Sequence, residues 1–189
     1  AGAFDTLHPQ REAILESVGL AFQHAEQLEA NASQGGLFDF DDAPASEPDL
    51  LPAKPWGVRE RLTLEKAAIG FYLSGHLFDE HAGEVRRLVA KQLNELEDSR
   101  EAVLLVGIVS DLRVINGARG RVAIFKLDDA SAVLEVACNG ELYDQHKELL
   151  AEDQLVFVQA QVRFDRFNGG LRANASLMLD LTGARARFA

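Results

Sequence analysis

The sequence predicts an α+β chain, a helical region over 1–100 followed by a small five-stranded barrel over 101–182. Three observations carry that expectation. Up to about residue 93 the apolar residues recur at spacings of three and four, the signature of helices with one buried stripe. From Ala102 the period falls to two, as in half-buried strands. Turn signals such as Asn116-Gly117, Asp128-Asp129 and Asn168-Gly169-Gly170 then cut the chain into strand-sized pieces.

The first helix is expected over 9–30, where Ile14, Leu15, Val18, Ala21, Phe22, Ala25 and Leu28 make one stripe and Pro9 is tolerated in the opening turn. A second runs from Val58 to Ser74, with Leu62, Leu64, Ile69, Phe71, Tyr72 and Leu73, and Gly75 is placed to end it. A third is expected from about Asp79 to Leu93, on a stripe of Val85, Leu88, Val89 and Leu93. Between the first two helices, 31–57 is rich in Gly, Pro, Ser and Asp and cannot bury enough apolar surface to order itself.

Strands follow at Val103–Ile115, Arg119–Leu127 and Val133–Cys138, then a short helix Gly140–Leu150, then strands Leu155–Phe167 and Leu171–Leu181. Gly107 inside the first strand suggests a bend where that strand is shared around a closing sheet. In the fourth, Val156, Val158, Ala160, Val162 and Phe164 form the inward set. In the fifth, Leu171, Ala173, Ala175, Leu177, Leu179 and Leu181 do the same. Three strands, a helix and two more strands is the order of an OB-fold barrel, a scaffold that takes oligonucleotides, oligosaccharides or proteins.

Composition narrows the function classes. No apolar run approaches the roughly 20 residues of a membrane span, and the first residues lack a secretory signal, so a cytoplasmic protein without membrane partners is expected. One cysteine, Cys138, excludes an internal disulfide and is read as a core residue. No nucleophile-and-base set stands out, and neither a catalytic centre, a metal site nor a cofactor is expected. Asp128-Asp129 lacks a third ligand and reads as a turn, while His76 and His81 are read as helix-boundary residues. Asn116-Gly117-Ala118-Arg119-Gly120 lacks the lysine and hydroxyl residue of a phosphate-binding loop. Glu65 and Lys66 are expected to be structural.

The net charge of −11 is uneven: residues 1–57 set Arg11 and Lys54 against ten acids. Within the barrel, Arg113, Arg119, Arg121 and Lys126 lie on the first two strands, and Arg163, Arg166 and Arg172 on the last two, with Asp165 the one acid among these three. Acids gather instead on the short helix and its exit, at Glu141, Asp144, Glu148, Glu152 and Asp153. That segregation fits a groove following a single-stranded backbone, with Phe125, Phe157 and Phe167 as stacking platforms. The competing reading is a solvated basic face over core aromatics. In the 31–57 segment, Gln34-Gly35-Gly36-Leu37-Phe38 and Phe40 place large apolar side chains where nothing local covers them, which fits a linear peptide docking on a second protein or a loop tucked on its own helices.

Four passages resemble the alpha subunit family of bacterial DNA polymerase III, together spanning nearly the whole chain. They are Gly2-Ala3-Phe4-Asp5; Glu65-Lys66 with Gly70-Phe71-Tyr72-Leu73-Ser74-Gly75-His76; the barrel passages Arg119-Gly120-Arg121 to Leu127-Asp128-Asp129 and Phe167-Asn168-Gly169-Gly170-Leu171-Arg172; and Gln34–Phe38. Leu77 stands where the family usually has proline, and Ala67 where an acid often follows Glu-Lys. The resemblance implies a non-catalytic processivity part of a DNA-directed polymerase, a fragment cut from a longer chain, with 183–189 opening a linker to a further domain. It implies that Gln34, Leu37, Phe38 and Phe40 grip the sliding clamp, that the barrel contacts single-stranded DNA, and that other replicase subunits bind elsewhere. A protein-interaction barrel without nucleic-acid binding is the alternative.

Overall fold

The computed structural model describes residues 2–34, 47–117, 120–166 and 169–188. By internal contacts the chain divides into two units, Ala1–Leu73 and Ser74–Ala189.

In the first unit, helix α1 spans Arg11–Gln34 and α2 spans Val58–Ile69. Helix α2 stops short of the expected Ser74. Gly70 takes a left-handed conformation (φ 89°) and its N–H returns to the Lys66 carbonyl at 2.8 Å, so glycine ends the helix one turn earlier than Gly75 would. The α1 stripe also departs from expectation. Ala13 and Ser17 are its buried residues, while Leu15, Val18, Phe22 and Leu28 remain exposed. Ser17 explains part of this: its hydroxyl donates to the Ala13 carbonyl (2.7 Å) and accepts from the Leu51 N–H (2.8 Å), pinning the chain that leads into α2.

Two of the family-like passages, Gly2–Asp5 and the one opening at Glu65, meet at one polar knot. Arg11 donates from Nε and Nη2 to the Asp5 carboxylate (2.7 and 2.5 Å) and from Nη1 to Glu65 (2.6 Å). Glu65, 2% exposed, also accepts from the Leu73 N–H at 2.9 Å. Gly2 must lack a side chain here, because a Cβ would fall 2.8 Å from Arg11 Nη2 in a backbone of positive φ. Lys66 lies over the Tyr72 ring at 5.1 Å. Glu65 is therefore a structural residue holding the unit's two ends together, while Lys66 packs locally on Tyr72.

The second unit is a closed barrel of β1 (Ala102–Gly117), β2 (Gly120–Asp128), β3 (Val133–Asn139), β4 (Leu155–Asp165) and β5 (Gly170–Leu179) in the order β1-β2-β3-β5-β4. Strand β1 is long because it serves two partners, pairing with β4 up to Ile108 and with β2 from Ile108 onward. Gly107 lies where it turns between them: a Cβ there would sit 2.8 Å from the Asp128 carbonyl. The bulge itself comes later, between Ser110 and Arg113, with Asp111 at φ 53°. Helix α4 (Gly140–His146) is capped by the Asn139 side chain, which accepts from the Leu142 N–H at 2.8 Å, and passes into a tighter turn over Lys147–Leu150.

Leu105, Val109, Phe125, Leu127, Val136, Val156, Val158, Val162 and Met178 fill the barrel. Met178 is a correction to the expected β5 alternation. Ser176 bulges out between the Gln159–Leu177 and Ala160–Ala175 pairs, its hydroxyl on the Gln159 carbonyl at 3.0 Å, and the inward parity passes from Leu177 to Met178.

The third helix is shorter than expected. Tight turns at Leu77–Glu80 and Leu93–Glu95 flank α3 (Ala82–Leu88), each opened by a reciprocal cap: His76 with Asp79, Gln92 with Glu95. Val85, Val89 and Leu93 are buried all the same. Leu93 and Leu96 pack into the barrel core itself, so 74–100 belongs with the barrel rather than with α1 and α2. At the other end, Leu181–Phe188 is helix α5 rather than a linker; the Gly183 N–H bonds the Asp180 carboxylate at 2.7 Å, and Arg185 pairs with Glu84. Helix α5 packs on β4, and Phe157, which points out of the barrel, is completely buried.

Candidate nucleic-acid interface

Strand register lines up the basic side chains. Arg163 on β4 is paired with Arg172 on β5, Arg172 with Glu135 on β3, and Glu135 with Lys126 on β2. These four residues form one transverse row on the outer face of the barrel. Lys126, Val133, Glu135, Asp165, Gly170, Leu171 and Arg172 line a groove of about 410 Å³ along it. Arg113 joins the row from β1 beyond the bulge, its Nη2 3.5 Å from Glu135.

Acids interleave with these cations. Glu135 Oε1 is 3.2 Å from Arg172 Nε, Asp111 is 3.0 Å from Lys126 Nζ and 3.7 Å from Arg113 Nε, and Asp98 is 2.9 Å from Arg163 Nε. The bond from Lys126, with the charge of Arg113 beside it, holds the Asp111 carboxyl below the usual carboxylate range. The exposed pairs, those of Asp111 with Lys126 and Arg113 and of Asp98 with Arg163, are weak, so a phosphate can compete for the same guanidinium and ammonium groups.

Not every expected cation is in the row. Arg121 is committed to α4, where it pairs with Asp144 and lies 5.7 Å from the Tyr143 ring. Arg166 is exposed in the turn after β4 and has no ion-pair partner among the described residues. Arg119 and Phe167 lie outside the described residues, as do Leu37, Phe38 and Phe40; Gln34 closes α1, but its side chain is also outside them. Two expected stacking platforms are corrected. Phe125 and Phe157 are both 0% exposed, the first inside the barrel and the second against its outer cover, so neither face is open to a base. Phe164, assigned inward by parity, is instead 52% exposed. It is the last inward-parity residue of β4, at the barrel mouth opposite Leu171 and beside Arg163. Its place next to the turn was the available signal.

The acid pair before β3 is a turn. Asp128 accepts from the Ala130 N–H (2.9 Å), and Asp129 accepts from the N–H groups of Leu93 (2.9 Å), Ser131 (2.9 Å) and Ala132 (3.1 Å) and from the Ser131 hydroxyl (2.6 Å). His76 is equally structural: Nδ1 accepts from the Phe78 N–H at 3.1 Å, which leaves Nε2 carrying the proton toward Asp128 at 3.3 Å. Burial and the backbone N–H of Ala123 act on Cys138 in opposite senses, and burial prevails, raising its thiol pKa. Among the described residues no three His, Cys, Asp or Glu side chains come together as a metal site, and no helix is long and apolar enough to cross a membrane.

Residues 103–180 match the OB-fold nucleic acid binding domain family. Across the whole chain, the DNA polymerase III subunit alpha of Neisseria meningitidis is 37% identical over 190 residues, and that of Escherichia coli 34% over 199 residues. This chain spans only 16–17% of the length of those two proteins. Among solved structures, the asparaginyl-tRNA synthetase from Pyrococcus horikoshii complexed with asparaginyl-adenylate aligns with 48% of this chain and 22% of its own, at 14% identity and a TM-score of 0.41. Along its full length, then, the chain belongs with a stretch of bacterial DNA polymerase III alpha subunits, and residues 103–180 are its OB-fold domain.

Proposed function

We propose that this chain is the tethering part of a replicative DNA polymerase, holding the sliding clamp through Gln34, Leu37, Phe38 and Phe40 and single-stranded template through the barrel row. The reading rests on similarity to polymerase alpha subunits across the full chain. Two modest contacts joined in one polypeptide raise each other's effective concentration, so the polymerase would rebind before diffusing away. No catalytic role falls to this chain; nucleotide transfer would belong to the remainder of the longer proteins it resembles. The expected setting is the bacterial cytoplasm, with further replicase subunits bound outside this stretch.

Leucine and phenylalanine side chains are suited to an apolar pocket on the clamp, with the glutamine amide at its rim. Titrating the 189-residue chain against a purified bacterial sliding clamp, beside the Leu37→Ala/Phe38→Ala double variant, tests the tether. Loss of about 2–4 kcal/mol of binding in the variant is expected, the range of paired anchors. Equal binding by both proteins would overturn the clamp contact. The alternative, a protein-interaction barrel, is favoured by the interleaved acids; it would gain if a labelled oligonucleotide showed no salt-dependent binding.

A further inference from the structure

We propose that Glu135 occupies the place of a nucleic-acid phosphate in the barrel groove, an internal competitor that single-stranded DNA must displace. The inference rests on the nucleic-acid reading of the barrel. Glu135 is the one acid within the transverse row, directly between Arg172 and Lys126 by register, and its two oxygens reach in opposite directions, Oε1 to Arg172 and Oε2 to Arg113. A carboxylate bridging guanidinium groups from β1 and β5 makes the pattern of contacts that a backbone phosphate would make.

The pairing is incomplete in a way that suits exchange. Arg172 Nε is buried without a hydrogen-bond partner among the described residues, although Glu135 Oε1 is 3.2 Å away, so the two groups attract through charge without an aligned bond. The Arg113 contact, at 3.5 Å, is at the limit of a hydrogen bond. An incoming phosphate with freely placed oxygens can align on both. When it does, Glu135 is released as an anion beside the strand and recruits counterions, which offsets those the strand gives up. Weak binding with a shallow salt dependence follows, suited to a strand that must slide through the groove.

The test compares wild type, Glu135→Gln and Arg172→Ala in the 189-residue chain by fluorescence anisotropy with a labelled oligo-dT across a salt series. Glu135→Gln keeps the shape and removes the charge. It is expected to tighten binding about fivefold at low salt and to steepen the log–log salt slope by roughly 0.7 for each added phosphate contact. Arg172→Ala is expected to weaken binding. Unchanged or weaker binding by Glu135→Gln, with Arg172→Ala still weakened, would overturn the competitor and leave the groove reading intact. Absence of binding by wild type and Glu135→Gln alike would overturn both.

Discussion

Asp129 shows how much one side chain can organise when burial and hydrogen bonding oppose each other. Burial, at 3% exposure, pushes its carboxyl toward the neutral form, but the Ser131 hydroxyl and the N–H groups of Leu93, Ser131 and Ala132 together hold it below 3.8. Truncation to alanine strips three backbone donors of their acceptor, and a cost of about 2–4 kcal/mol is expected in denaturant titration at neutral pH. The sign with pH is fixed by the direction of the shift. A depressed carboxylate contributes fully above its unfolded value and loses that contribution as pH falls through the lower folded one, so the gap between wild type and Asp129→Ala is expected to close in acid below pH 3.8. The turn at this position was legible from Asp128-Asp129 alone. Its grip on Leu93 was not, because residues 36 apart in sequence carry no local pattern that joins them. Phe157 and Phe164 fail for a related reason. Parity along a strand names two faces, but whether the outer face is covered, or the inner face opens at a mouth, depends on what packs from elsewhere.

At the level of elements, the strand order was readable because turn residues and period changes are local signals, and the ends of β2 and β3 fall within a residue or so of expectation. The bulges were not. One extra residue at Ser176 reverses which β5 side chains face inward, and nothing in an evenly alternating stretch announces it. Gly107 is the exception, a bulge-like signal that marks a close approach. Gly107→Ala places a methyl group against the Asp128 carbonyl and the Leu127 side chain, both at 2.8 Å, and the backbone atom cannot step aside as a flexible side-chain end could. Thermal unfolding is expected to register about 2 kcal/mol of destabilisation, since β1 must be pushed off β2 where it changes partners. Helix ends follow the same division. Gly70 and Gly75 both offer a left-handed stop, and only the packed structure decides between them.

For the whole molecule, the lesson concerns where the barrel begins. An expected boundary near residue 100 follows from the change of period, yet Leu93 and Leu96 lie within the barrel core and Leu93 is bonded to Asp129. A chain started at Glu101 therefore opens a hole that one started at Ser74 does not. Burial of two leucines is worth about 4 kcal/mol, and the shorter piece is expected to melt at clearly lower temperature by calorimetry, or to aggregate. Equal melting temperatures would place 74–100 outside the folded unit. The basic row was foreshadowed by the charge count along β1, β2, β4 and β5, but its acid at Glu135 was not, because β3, which carries no Lys or Arg, did not enter that count.

The Asp129 clasp also decides how the barrel would feel a pull. Between Ser74 and the start of β1 the chain is fastened in series, at His76 to Asp128, at Leu93 to Asp129, and at Ser99 to the Val162 carbonyl. Tension arriving from the preceding polypeptide has to undo those fastenings one after another before it can peel the first strand from β4. The segment that sequence alone assigns to the helices is thus fixed to the barrel at three successive points ahead of β1.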